Sequence, residues 1–327
     1  MTKENIIEDT MEELNKKYGK NSIIQMNDKH RIKIESISTN CYSLDEIFGC
    51  GGLPRGRIIE LFGEESSGKS TMAAYIVAQV QKQGGKAVWI DVEHAFSTDY
   101  AEDIGVNIKD LILSQPSSGE EALDMVDKMA KTDNIDIIVL DSVAALVPQK
   151  ELEGEITDST IALQARMMSQ ALRMITGTLS KTKTTVVFIN QMRDKVGVFW
   201  GNKTTTSGGK ALKFYASVRL EVKKGKHIKD KDENVIGNWI SICGVKNKVG
   251  FPFKKCELEL IYKQGVDIVG EILDIAIKRD IIKKDGNTYV YEDKKLGVGR
   301  DQVKEYLKTN IEIFNKIKEI VYGDIKN

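Results

Sequence analysis

Residues 63–70 read Gly-Glu-Glu-Ser-Ser-Gly-Lys-Ser. Two glycines around a four-residue insert, followed at once by lysine and a hydroxyl, make a phosphate cradle. Backbone N–H groups and a helix N-terminus face the anion, Lys69 reaches the β- and γ-phosphates, and the Ser70 hydroxyl meets Mg²⁺. The spacing therefore assigns a nucleoside triphosphate site to Gly63, Glu64, Glu65, Ser66, Ser67, Gly68, Lys69, Ser70 and Thr71. Phosphoryl transfer at such a loop needs a carboxylate on the metal, and "IIVLDS" places Asp141 at the end of an apolar strand. Glu93, in "WIDVEH", ends another strand and is the candidate general base for the attacking water, with His94 beside it as the rival. Gln191 closes "VVFIN" with a neutral amide suited to sensing a γ-phosphate. It also opens a stretch whose order could follow nucleotide state.

That stretch, "NQMRDKVGVFWGNKTTTSGGKALKFY", has no regular hydrophobic period. Arg193, Lys195, Lys203, Lys210 and Lys213 face only Asp194, and Phe199 and Trp200 stand among glycines and threonines. Structureless loops of about twenty residues are uncommon in compact domains unless they work or are disordered. Two readings fit: a surface loop whose aromatics fold back onto the protein, or a basic aromatic loop that engages a flexible polyanion.

These groups must be held by a scaffold, and the chain alternates strands with helices to supply one. "RIIELF", "KAVWIDVEH", "IDIIVLDS" and "TTVVFINQ" read as strands. Between them "STMAAYIVAQVQKQG", "EEALDMVDKMAKT" and "LQARMMSQALRMITGTLSKT" read as helices. Apolar strands separated by helices predict an α/β fold with a largely parallel, twisted sheet covered on both faces. "ASVRLEVKK" and "NWISICGVKN" add late strands. Residues 1–32 carry Ile6, Ile7, Met11, Leu14 and Tyr18 at helical spacing, an N-terminal docking helix and linker. Residues 33–264 form the core, and 265–327 revert to helices around a hairpin, a small α+β C-terminal domain. Among 327 residues, 41% are hydrophobic and 29% charged, with formal net charge zero. This composition suits a soluble globular protein, so any basic surface must be local. Cys41, Cys50, Cys243 and Cys256 are scattered with no CxxC pair, which argues against zinc or a disulfide framework. With no apolar run near eighteen residues and no leader-like N-terminus, a cytoplasmic protein without membrane contact is expected.

The order and spacing of "GEESSGKS", "IDVEHAF", "SQPSSGEEAL", "VLDSVAALVP", "EGEITDS", "ARMMSQALR", "FINQMR", "TTTSGGKALKFYASVRL" and "VKNKVGFPF" resemble the bacterial RecA recombinases along nearly the whole chain. The resemblance implies a RecA-like P-loop ATPase core using ATP and Mg²⁺. It implies a first DNA-binding loop around Glu153 to Ala162 and a second at Asn190 to Tyr215. DNA-binding positions carried over are Arg166, Arg173, Arg193, Lys195, Phe199, Trp200, Gly208 and Gly209; Arg166 and Arg173, seven apart on one helix, share a face. Lys246 and Lys248 match lysines that complete the ATP site of a neighbouring subunit, and Phe214 an aromatic that relays nucleotide state across that boundary. Tyr100 matches a residue stacked near adenine. The chain departs from the family at Ser97 and Thr98, where Asp-Pro is common, at Phe199 and Trp200, and in ending without an acidic tail.

The resemblance thus implies a DNA-dependent ATPase that forms helical filaments on single-stranded DNA. Such a protein pairs it with homologous double-stranded DNA, exchanges strands and stimulates self-cleavage of a LexA-type repressor in the SOS response. A hexameric helicase or other repair ATPase of the same fold is the alternative enzyme, against which stands the N-terminal docking helix on a single ATPase core. A DNA-coating protein that uses ATP only as an assembly signal is the non-enzymatic alternative; Glu93, a water-activating base, argues against it.

Overall fold

The computed structural model describes residues 3–26, 34–154, 162–194 and 204–323. By its internal contacts the chain divides into two compact units, Met1–Glu35 and Ser36–Asn327.

In the first unit, helix α1 (Lys3–Tyr18) is followed by Gly19 at φ +107°. The Asn15 side chain fastens the following turn, its amide donating to Ile23 O at 3.0 Å while its Oδ1 accepts from Ile23 N at 3.1 Å. Ile6, Ile7 and Tyr18 are exposed.

The second unit opens with β1 (Ser36–Ile37), α2 (Tyr42–Phe48), β2 (Leu53–Pro54), β3 (Ile58–Gly63), α3 (Lys69–Lys82), β4 (Ala87–Asp91) and α4 (Thr98–Ile104). Then come β5 (Leu111–Ser114), α5 (Gly119–Lys131), β6 (Ile137–Asp141), α6 (Gln149–Glu153), α7 (Leu163–Thr182), β7 (Thr185–Asp194), β8 (Thr204–Thr206) and α8 (Ala211–Tyr215). β9 (Val218–Lys229), β10 (Val235–Asn247), β11 (Lys255–Ile261) and β12 (Gly265–Val266) complete the main sheet. The chain finishes with α9 (Ile268–Lys278), β13 (Lys283–Asp285), β14 (Thr288–Tyr291), β15 (Lys294–Val298), α10 (Arg300–Thr309) and α11 (Ile311–Tyr322).

The main sheet runs β12-β11-β10-β9-β3-β7-β6-β4-β5, with β8 beside β7. From β5 to β9 every pairing on this path is parallel; β10, β11 and β12 extend the sheet antiparallel. The expected α/β fold is present, and the continuous apolar runs have their reason here. β3 and residues 137–140 of β6 are buried on both faces, between one core centred on α3 and another formed by α5 and α7. Register then sets the chemistry: Gly63 lies opposite Gln191, and Asp91 opposite Asp141. The carboxyl ends of β3, β4, β6 and β7 thus share one edge, where open α/β sheets bind ligands.

The C-terminal elements pack a three-stranded sheet with α9, α10 and α11 around Ile272, Leu273, Ile282, Leu296, Val303 and Ile317. Tyr42 of α2 joins this core, so the region is stitched to the body rather than hung from it. Helix α2 starts at Cys41 without a side-chain cap of its own. Glu271 of α9 supplies one, its carboxylate accepting from Ser43 N at 2.7 Å, Tyr42 N at 3.1 Å and Cys41 Sγ at 3.3 Å. Arg300 and Lys304 of α10 both pair with Glu259 of β11, at 2.7 and 3.2 Å. All four cysteines are free thiols. No helix among the described residues is long and apolar enough to cross a membrane.

Candidate functional site

The turn between β3 and α3 is shaped by backbone conformations that few residues accept. Ser66 lies at φ +54° and Gly68 at φ +92°, and a Cβ on Gly63 would sit 2.1 Å from Val222 O. The first glycine of the motif is therefore required by the neighbouring strand β9 as much as by a phosphate. Within the loop Lys69 Nζ donates to Glu64 O at 2.6 Å, although the lysine is only 7% exposed. Burial lowers its ammonium below the usual range, opposed by the charges of Asp141, Glu93 and Glu65.

The Ser70 hydroxyl lies beside the Asp141 carboxyl. Burial raises that carboxyl to about 6; the Ser70 hydroxyl and Lys69 oppose this, while Glu93 and Asp91 add to it. A hydroxyl–carboxylate pair beside a phosphate cradle is the donor set Mg²⁺ takes when phosphates supply the rest of its shell. Among the described residues no group of three or more His, Cys, Asp or Glu side chains forms a separate metal cage. Ser67 Oγ is buried without a hydrogen-bond partner in the same loop, a polar atom left for a ligand. These residues fit a magnesium nucleotide.

Glu93 leaves the end of β4 on a turn held from below. The backbone N–H groups of Val92 and Glu93 donate to Asp141 O at 2.7 and 3.3 Å. Asp91, 2% exposed, accepts from Ala95 N at 3.2 Å, Phe96 N at 3.0 Å and Gln115 Nε2 at 2.9 Å. The Glu93 carboxylate itself is exposed, and its Oε1 accepts from the Ser142 hydroxyl and from Gln191 Nε2, the latter at 3.1 Å. His94 follows at φ +55°. Tyr100 lies on α4 with its hydroxyl 3.0 Å from Thr71 Oγ1. Ser97 is the N-cap of that helix and accepts from Tyr100 N at 3.3 Å. This serine thus does the capping work at one of the two positions that depart from the family pattern.

Asp91 and Ser142 were not among the residues expected from the sequence. Both stand beside expected ones, in "WIDVEH" and "VLDSV", and strand-end position was the available signal.

A second cluster lies between α8 and the end of β10. Lys246 Nζ donates to Lys213 O at 2.6 Å and Phe214 O at 3.0 Å, and Lys248 Nζ to Phe214 O at 3.3 Å. Two ammonium groups thus meet the last carbonyls of α8, while the Phe214 ring is 69% exposed. These three residues are brought together with one another, and not with Lys69 or Asp141.

Comparison with known proteins completes the assignment. Residues 5–267 match the RecA N-terminal domain and residues 270–326 the RecA C-terminal domain. The chain is 50% identical over 315 residues to Protein RecA of Lactiplantibacillus plantarum, covering 96% of this chain and 83% of that one. It is 51% identical over 316 residues to Protein RecA of Chloroherpeton thalassium, covering 97% and 87%. The chain belongs to the RecA family. A solved structure of the RadB recombinase, 19% identical, superposes with a TM-score of 0.54 over 70% of this chain and 98% of that one, a likeness of fold.

The positions carried over from RecA for DNA contact fall in several places. Arg166 and Arg173 are both exposed on α7, opposite the buried Met168, Leu172 and Ile175. Arg193 is exposed on β7, opposite Thr205 of β8. Gly208 and Gly209 both adopt φ +77°; Cβ atoms there would meet Val143 Cγ1 at 2.8 Å and Ala165 Cβ at 2.9 Å. Close packing inside the protein therefore already calls for these glycines. Lys195, Phe199, Trp200 and Lys203, and most of the first loop, lie outside the described residues.

Proposed function

We propose that this RecA-family protein is a DNA-dependent ATPase that assembles into helical filaments on single-stranded DNA and drives homologous pairing and strand exchange. The observation that carries the reading is the 3.1 Å hydrogen bond from Gln191 Nε2 to Glu93 Oε1. It joins the candidate base for hydrolysis to the first residue of the candidate DNA-binding segment. Bound Mg²⁺·ATP supplies the phosphorus centre and a metal that neutralises developing charge. The Lys69 ammonium offers its positive charge to the phosphate oxygens, exchanging its bond to Glu64 O for them. Ser70 and Asp141 would hold the cation. Glu93 takes the proton of the attacking water, oriented by the bonds from Ser142 and Gln191.

Lys246 and Lys248 complete the site of an adjoining subunit, with Phe214 as the contact that reports nucleotide state. Arg166, Arg173, Arg193 and Lys195 meet phosphates, and Phe199 and Trp200 stack with bases. Residues 1–32 dock on the adjoining subunit, the core spans 33–264, and 265–327 collects duplex DNA. The filament stimulates self-cleavage of a LexA-type repressor, and the protein acts in the cytoplasm.

ATP turnover measured with and without single-stranded DNA, beside electron microscopy of the same samples, tests the reading. DNA-stimulated turnover together with filaments is expected. Closed rings point to a helicase-like motor, and filaments without turnover to a DNA coat; either result overturns the proposal. The Gln191→Ala variant should bind ATP normally yet lose most of the DNA response.

A further inference from the structure

One buried polar group serves neither the nucleotide site nor the DNA-facing residues directly. Glu60 lies in β3, three residues before Gly63, and is wholly buried at 0% exposure. Its Oε1 accepts from Asn190 Nδ2 at 2.9 Å, and its Oε2 from Arg219 Nε. The Arg219 guanidinium also lies over the Phe62 ring, 4.5 Å from its centroid. An apolar residue of equal volume is often as stable as a buried ion pair, so the pair is poorly explained by stability alone.

Its partners lead to two different places. The Asn190 amide donates also to Ser207 O at 3.1 Å, and Asn190 Oδ1 accepts from Gln191 N at 2.9 Å. Asn190 thus fastens both ends of the β7–β8 segment and sets the residue whose side chain reaches Glu93. On the other side Arg219 is the register partner of Lys246, whose ammonium holds the carbonyls of Lys213 and Phe214. Both amide hydrogens of Asn190 and both carboxylate oxygens of Glu60 are engaged, which leaves little slack in the chain of contacts.

We propose that Glu60 is a positioning residue that couples the two sides, transmitting movement at the base of the β7–β8 segment to Lys246 and Phe214. The idea rests on the reading above, in which that segment meets DNA and Lys246 acts on an adjoining subunit's nucleotide. DNA at the β7–β8 segment would thereby adjust Lys246 and Lys248 through Glu60 and Arg219, beside the direct bond from Lys213 Nζ to Thr205 Oγ1 at 2.6 Å, which is a coupling between two sites.

The test replaces the pair by apolar groups of similar shape, Glu60→Leu with Arg219→Met, so that no buried charge is stranded. A second variant, Arg219→Lys, keeps the charge but not the Nε geometry. Turnover is measured on ATP with and without poly(dT), beside poly(dT) affinity and thermal melting. In the double variant, melting temperature, KM for ATP and poly(dT) affinity should stay near wild type, while stimulation of kcat by poly(dT) falls about tenfold. Arg219→Lys should recover part of that stimulation. Wild-type stimulation in a folded double variant overturns the proposal. So does a loss of stimulation that only tracks loss of melting temperature or of DNA affinity across both variants. Failure of the underlying reading looks different, because the wild-type protein itself would then show no response to poly(dT).

Discussion

In the proposed reaction Lys69 and Glu93 bear on the same phosphate in different roles, and their replacements should separate binding from turnover. Lys69→Ala removes the point charge within the loop and should abolish both ATP-dependent assembly and hydrolysis, checked by nucleotide binding and phosphate release. Glu93→Gln keeps the acceptor for Ser142 but cannot take a proton. It should bind ATP and DNA normally while hydrolysis falls by about two orders of magnitude or more. Ser142→Ala removes only an orienting hydroxyl, so its loss should be much smaller and fall on kcat; equal losses in the two variants would move the base away from Glu93. Lys69, Glu93, Asp141 and Gln191 were legible because each stands in a short motif at or just beyond a strand end, whereas Asp91 and Ser142 beside them were not. Glu60 and Arg219 were not, since nothing local marks a pair whose members are 159 residues apart in the chain.

Among the elements, α2 depends most on a residue from elsewhere. Glu271 accepts three bonds at its N-terminus. Glu271→Ala should therefore destabilise the protein by about 1–2 kcal/mol, the usual worth of a lost N-cap, visible in thermal melting. Asp45, one turn along the helix, accepts from Thr39 N, Thr39 Oγ1 and Ser38 Oγ at 2.6–2.8 Å. Burial nevertheless raises its carboxyl from 3.8 to about 6, with Glu271 adding to the effect. The sign follows from proton uptake: between pH 4 and 6 the folded form keeps a proton the unfolded chain has released, so this contribution weakens as pH rises through that window. Asp45→Asn cannot ionise, so relative to wild type its melting temperature should be most favourable above pH 6 and lose that advantage toward pH 4. A difference independent of pH would show that the carboxyl titrates normally. The helices and strands around the site were readable from periodicity and caps. This helix cap was not, because the capping carboxylate comes from α9.

At the scale of the whole molecule, the chain forms two compact units. Removing residues 1–32 should leave the melting of the remainder within a few degrees while abolishing DNA-dependent assembly, measured by calorimetry and light scattering. Loss of folding in the truncated protein would show that the helix is part of the body. The parallel core was legible from the alternation of apolar strands and helices. The antiparallel wing of β10, β11 and β12 was legible only as late strands, because their sequences do not name the strands they pair with. The stitching of the C-terminal elements to α2 was not legible either, resting on Tyr42, Glu271 and Arg279, far apart in sequence and ordinary in type.

The position of Val222 O above Gly63 has a consequence for the order in which the protein is made. The phosphate loop is complete as a peptide once residue 70 has been synthesised. Its central strand β3, however, lies between β7 and β9, both encoded far downstream. A nascent chain halted before β9 leaves the ribosome carrying the nucleotide motif without the strand that walls it. ATP should accordingly do little for the stability of such truncated chains, and should protect the finished protein mainly by slowing its unfolding.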